Sequence, residues 1–199
     1  KISAAKSLTL PNILEVAKNV KGLSLVGIVD SHSWGVRQDF KTLRTAGQIR
    51  PLAAGGYSAQ GLTVIPGHEI ELKVGEGSAH FLAFFPGIER VEEYVQAIGR
   101  STKNWQLSTQ KGFLDFEEWL AALHKAEGIW LPAHAFTPHK GIYGNCCRRL
   151  RDVLPSLPQA LEIGLSADRQ WRRVLMNWLP WFCSVIRTPI PYLTLPVNI

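Results

Sequence analysis

Gly128-Ile-Trp-Leu-Pro-Ala-His134-Ala-Phe-Thr-Pro-His139 reads as a short buried strand, Ile129 to Ala133, that delivers His134 to the point where strand gives way to loop. In a barrel of parallel strands, that is the position at which chemistry sits. Pro132 and Pro138 stiffen the approach on either side, and a proline also ends a strand's hydrogen-bonding ladder. A single histidine in such a place is commonly a capped loop residue, so the rest of the chain decides its meaning.

Working back towards the N-terminus, Thr9 to Val20 has the pattern of an amphipathic helix, with Thr9 as N-cap, Pro11 in the first turn and Gly22 as terminator. Leu23 to Val29 is an apolar strand that runs into Asp30-Ser31-His32, and Val36 to Ala46 is a second helix closed by Gly47. A glycine-rich loop over 48–61 leads to a strand from Leu62 to Lys73, with Pro66-Gly67-His68-Glu69-Ile70-Glu71 at its middle. After a turn at Val74–Ser78 comes the strand Ala79 to Phe85, then a helix over Ile88–Ile98 with apolar Val91, Tyr94, Val95 and Ile98 on one face. Asp115-Phe-Glu-Glu118 has the form of a capping box and starts a helix to Ala126. Beyond the His134 strand, a helix near Arg148–Leu154 precedes a strand Ala160–Ile163. Strands alternating with helices predict an α/β domain with a mainly parallel sheet, open or closed into a barrel.

The chain of 199 residues, 46% hydrophobic, is long enough for one domain with a full core, or for part of a larger one. No apolar run is long and uncharged enough to span a bilayer, and no apolar segment follows Lys1–Lys6 as a signal peptide requires. The absence of an initiator Met suggests a fragment. Three cysteines, two of them adjacent at Cys146-Cys147, fit neither a disulfide framework nor a zinc finger, and point to a cytoplasmic setting. Of the formal charge of +6, residues 169–199 contribute +4 through Arg169, Arg172, Arg173 and Arg187, with no acid among them. The basic balance therefore belongs largely to the tail and says little about a nucleic-acid partner.

Asp30, Glu69, His80, His134 and Glu162 each lie at or near a different strand. Carboxylate and imidazole are the ligand types suited to zinc, manganese or iron. Convergence of such groups on one barrel mouth makes a site for two or three metals that can activate water and clamp phosphodiester oxygens. His124 falls on a helix surface and stays out of this set. His68 alternates away from Glu69 and is expected to face outward, whereas Glu71 shares the face of Glu69.

Asp30-Ser-His32 after an apolar strand, Pro-Gly-His-Glu69-Ile, Ala-His80-Phe-Leu-Ala-Phe-Phe-Pro, Pro-Ala-His134-Ala-Phe-Thr-Pro and Leu-Glu162-Ile-Gly-Leu-Ser-Ala-Asp168 resemble, in type and order, the polymerase-and-histidinol-phosphatase (PHP) superfamily and its endonuclease Q-like branch. The resemblance covers residues 3 to 168 and implies a distorted (βα)7 barrel with a multinuclear zinc or manganese site at its C-terminal mouth. It implies metal-ligand roles for Glu69, His80 and His134, with Asp30 or His32 as a further ligand. Glu162 and Asp168 would support the ligands from behind or hold the fold. The activity implied is nicking of DNA on the 5′ side of deaminated bases and at abasic sites.

Two motifs of the family do not occur as such. The chain starts after the Asp-x-His-x-His of the first barrel strand, and no histidine follows His139 to supply the closing Asn-Ser-Asp-Ala-His-Ser. The expectation is an incomplete barrel over residues 1–168, lacking its first and last strands, with an aberrant or disordered Trp/Pro/Arg-rich tail over 169–199. Back-translation of Val185-Ile-Arg-Thr-Pro-Ile-Pro191 with free third bases, read from the third base of the Val185 codon, yields Asn-Ser-Asp-Ala-His-Ser, so the tail reads as frameshifted after Asp168. A site missing its end motifs is expected to hold metal weakly and to have little activity alone.

Arg100, Lys103, Trp105 and Lys111 mix cations with an aromatic, as DNA-backbone grooves do. No Walker loop, Gly-x-Gly-x-x-Gly or Gly-x-Ser-x-Gly occurs, so no nucleotide cofactor and no serine-hydrolase chemistry is expected. Besides a DNA-repair endonuclease, the readings left open are a small phosphomonoesterase acting on a substrate such as histidinol phosphate, and a non-catalytic DNA-binding relic.

Overall fold

The computed structural model of the chain describes residues 8–103, 110–158, 160–163 and 183–186. Helix α1 (Leu10–Glu15) has a proline in its first turn and passes into a π-helical turn over Val16–Val20. Gly22, at φ +63°, then reverses the chain. Thr9 takes the extended N-cap conformation, but its side chain makes no cap bond, contrary to expectation. Strand β1 (Leu25–Ile28) leads through the Asp30–Ser33 turn into α2 (Trp34–Thr45). The glycine-rich segment contains two short strands, β2 (Arg50–Pro51) and β3 (Tyr57–Ala59).

The long strand β4 (Leu62–Val74) is the hub of a seven-stranded sheet. Its first half pairs with β1 in parallel and with β3 antiparallel. Its second half pairs antiparallel with β5 (Gly77–Phe84) and in parallel with β6 (Gln110–Lys111). The changeover falls at Pro66-Gly67, where proline supplies no ladder donor. Strand β7 (Ile129–Pro132) adds antiparallel to β5. The sheet is mixed and not closed, not mainly parallel. The turn at Gly75-Glu76 explains this, because a connection of two residues can join only antiparallel neighbours.

Between β5 and β7 lie α3 (Ile88–Ile98) and α4 (Phe116–Lys125). The capping box forms: the Glu118 N–H donates to Asp115 Oδ1 at 2.8 Å, and the Asp115 N–H donates to Glu118 Oε2 at 3.3 Å. In place of a helix over Arg148–Leu154 there is a 3-10 turn at Leu150–Asp152, preceded by the short α5 (Ile142–Asn145). Strand β8 (Ala160–Ile163) pairs in parallel with β9 (Cys183–Ile186), so part of the tail is a strand. The shifted-frame motif over 185–191 and Asp168 otherwise lie outside the described residues.

Alternation along β4 sorts its side chains into two environments. Ile70, Leu72 and Val74 enter the main core, where Phe81, Phe116, Trp119 and Trp130 pack with ring centroids 5.1–6.1 Å apart. Glu69 and Glu71 point the other way, towards a smaller cluster of Leu82, Leu131 and Ala133. The ring of Phe84 lies over two glycines there: a Cβ on Gly27 or Gly67 would come within 2.5 or 2.7 Å of it.

His68 corrects the expectation of an outward residue. It does alternate away from Glu69, but α3 and α4 cover that face of the sheet, so it is fully buried. The Trp119 indole N–H donates to the Tyr94 hydroxyl at 2.7 Å, and the same hydroxyl lies 3.0 Å from His68 Nδ1. Indole N–H can only donate, so the Tyr94 O–H proton is available to His68 Nδ1. Burial, reinforced by the His32 ring tilted against it at 4.3 Å, drives the His68 pKa well below its usual range and keeps the ring neutral. Replacing Tyr94 with Phe strands a buried indole N–H. We expect Tyr94→Phe to lower unfolding free energy by about 1–3 kcal/mol in denaturant titration.

Candidate metal centre

The ends of β4 and β7 and the beginning of β5 meet at one edge of the sheet, because β5 runs opposite to both. There Glu69, His80 and His134 converge. His80 Nδ1 lies 3.0 Å from Glu69 Oε1 and 3.1 Å from His134 Nε2, and His134 Nε2 lies 3.6 Å from Glu69 Oε1. All three ligand-type atoms fall within 4.8 Å of one another, and the side chains are 6% to 17% exposed. Ligands around one tetrahedral zinc, with bonds of about 2.0–2.1 Å, stand roughly 3.3–3.5 Å apart. The donor set therefore fits a single divalent ion with two imidazoles, one carboxylate and an open fourth position.

Glu69 and Glu71, indistinguishable in sequence because they share a face, are separated by their neighbours. Glu71 Oε1 accepts from Lys140 Nζ at 2.6 Å and from Ser78 Oγ at 3.0 Å, and Lys140 Nζ also reaches Ser78 Oγ at 2.8 Å. Burial opposes ionisation of Glu71, but the hydrogen bonds from Lys140 and Ser78, with the Lys140 charge and His80, outweigh it and hold its carboxyl below the ordinary value. Its second oxygen faces His80 Nε2 at 3.7 Å. Glu69 thus faces the ligand atoms, while Glu71 is clamped behind His80.

His134 is held at unusual backbone angles, with φ +31°. A non-glycine residue in that region costs energy and persists only where its surroundings determine it. Here the His134 N–H donates to Glu162 Oε2 at 2.8 Å, and its carbonyl accepts from the Thr137 N–H at 3.0 Å. Glu162 is itself buried. The loop then returns across β5, where the Lys140 carbonyl accepts the His80 N–H at 2.9 Å. Gly144 is packed so close that a Cβ would sit 2.1 Å from the Thr137 carbonyl oxygen.

The other sequence candidates lie elsewhere. Asp30 and His32 are not among the three gathered groups; Asp30 forms a β-bridge with His68, and His32 is buried against the His68 ring. Asp168 and Trp105 lie outside the described residues. Lys103 and Lys111 flank an aromatic residue that sequence reading passed over: Phe113, 57% exposed, has their ammonium groups 5.1 and 5.9 Å from its ring centroid. Lys111 pairs in register with Glu71, one strand away from the site. Cys146 and Cys147 are half-buried, and burial pushes both thiols up, which disfavours nucleophilic thiolate.

Glu69→Gln and Glu71→Gln separate the two carboxylates. Zinc titration of the first is expected to lose binding altogether; the second should retain it with affinity lower by ~10–100-fold. Gly144→Ala should push the Thr137 carbonyl away, costing about 1–3 kcal/mol of stability in thermal or denaturant unfolding.

No family model matches the chain. The uncharacterized protein YqxK of Bacillus subtilis is 34% identical over 172 residues, which is 84% of this chain and 44% of that protein. The crystal structure of the lesion-specific endonuclease PfuEndoQ from Pyrococcus furiosus is similar with a TM-score of 0.72 and 27% identity, over 92% of this chain and 44% of that one. An endonuclease Q in complex with a 27-mer duplex substrate bearing an abasic lesion at the active site gives 0.67 and 28%, over 83% of this chain and 40% of that one. The chain thus spans less than half the length of each of these relatives. It has the endonuclease Q-like fold of the PHP superfamily.

Proposed function

We propose that this chain is the metal-binding part of a PHP-type hydrolase that nicks DNA 5′ of deaminated bases or at abasic sites, working in the cytoplasm with zinc or manganese. The observation that carries the reading is the Glu69–His80–His134 cluster, whose 3.0–3.6 Å spacings fit one ion with an open position. Likeness to endonuclease Q, one structure of which holds a duplex with an abasic lesion, favours DNA over other phosphate esters as substrate.

A divalent ion at this position would supply Lewis acidity and lower the pKa of water. The chain's own residues do the rest. Glu69, His80 and His134 would hold the ion; Glu162 fixes the backbone at His134; and Lys140 keeps Glu71 ionised beside His80. Asp30 or His32, which lie against His68 next to Glu69, would be the ligands of a second ion position. Lys103, Lys111 and Arg100 form the DNA-facing surface in this reading. The exposed Phe113 between the two lysines adds a face on which an unpaired base can stack.

The test is incubation of the purified chain with zinc or manganese and duplexes carrying one deoxyuridine or abasic site, with undamaged duplex and a small phosphomonoester alongside. Any cleavage by this chain alone is expected to be slow and confined to the 5′ side of the lesion; faster hydrolysis of the phosphomonoester overturns the DNA reading. Binding of the same duplex offers a separate check. Lys103→Ala with Lys111→Ala should weaken it for all sequences alike and reduce the slope of log K against log salt by about 2.

A further inference from the structure

Of the polar groups around the cluster, Thr137 has an arrangement that determines a proton position. Its Oγ1 lies 2.9 Å from His134 Nδ1, 3.0 Å from the His134 carbonyl oxygen and 3.0 Å from the His139 carbonyl oxygen. A hydroxyl has one proton to donate and lone pairs to accept with. Both carbonyl oxygens can only accept, and the single Thr137 proton is directed at one of them. Oriented that way, the hydroxyl offers His134 Nδ1 a lone pair, the arrangement in which Nδ1 carries the hydrogen. The opposite nitrogen, Nε2, then presents its own lone pair, and Nε2 is the atom that faces Glu69 Oε1 and His80 Nδ1.

We infer that Thr137 is a positioning residue, which fixes His134 in its Nδ1–H tautomer and so aims an unprotonated Nε2 at the ion position before any ion binds. This rests on the reading of the cluster as a metal site. The surrounding loop is built to keep Thr137 where it is. Its N–H closes a turn onto the His134 carbonyl, and Gly141 and Gly144 allow the chain to pass so close that a Cβ would come within 2.4 and 2.1 Å of the Thr137 carbonyl oxygen. His134 and Lys140, at φ +31° and +61°, wind the backbone tightly around it. Among the described residues, the far nitrogen of His80 faces Glu71 across 3.7 Å, beyond hydrogen-bond length. The preset therefore applies to one of the two histidines.

Ring-nitrogen NMR on the metal-free wild-type chain reads the tautomer directly, and zinc titration reads its consequence. The wild type should show His134 protonated at Nδ1. Thr137→Val, which keeps the shape and removes the acceptor, should give a mixture of tautomers and bind zinc ~10–100-fold more weakly. Thr137→Ser should restore both. A wild-type His134 protonated at Nε2 overturns the inference whatever the variants do, as does Thr137→Val with unchanged tautomer and affinity. If Thr137→Val fails to fold, the wild-type spectrum and Thr137→Ser still decide. A chain with the Nδ1–H tautomer that takes up no zinc sinks the metal reading and leaves the anchoring of His134 standing.

Discussion

Burial of β4 on both faces is the constraint on which the rest depends. A strand's side chains alternate, so a strand with apolar material on each side cannot slip by one residue without exchanging its two sets. In β4 the exchange would move Ile70 and Leu72 out of the aromatic core and drive Glu69 and Glu71 into it. Burying carboxylates among Phe81, Trp119 and Trp130 without partners costs far more than a domain's net stability allows. The core thus holds the register, and the register delivers Glu69 to the candidate metal centre. His68, on the core side, is accommodated because the Tyr94 hydroxyl, itself held by the Trp119 indole, meets its Nδ1 there.

The other half of the site depends on a loop, and that loop gains its rigidity by a different route. Within residues 134 to 140, Ala135 is buried in the core and Phe136 stacks on Tyr143, and the polar remainder is fixed by hydrogen bonds and close backbone contacts. Glu162 holds the His134 N–H, Thr137 ties the turn, and the Lys140 carbonyl fastens the far end to β5. The two left-handed residues are the cost of closing so short a path, offset by those bonds.

Much of this was legible in the sequence, for identifiable reasons. The helix over Ile88–Ile98 and the capping box at Asp115 follow from local periodicity and local chemistry, which neighbours did not override. His134 at a strand end followed from a short apolar run stopped by proline. The mixed sheet was misread because alternating elements suggested crossovers, whereas the two-residue turn at Gly75-Glu76 already required a hairpin. The burial of His68 could not be read, since alternation gives the side of a strand but not what covers it. For the same reason Glu71 could be told from Glu69 only once Lys140, distant in sequence, came within reach.

Phe84 and its two glycines carry a consequence of another kind. The ring is on the same face of β5 as His80, with Leu82 between them, and occupies the volume that side chains at 27 and 67 would otherwise fill. These three positions form one interlocking unit drawn from three strands, and none can change size alone. Enlarging either glycine would displace the ring, and shrinking the ring would leave a void that glycine cannot fill. Their substitutions should be strongly non-additive, so drift in this protein's descendants must alter them together or leave them alone. That layer of the sheet is thus restricted by shape as firmly as the Glu69–His80–His134 cluster is by chemistry.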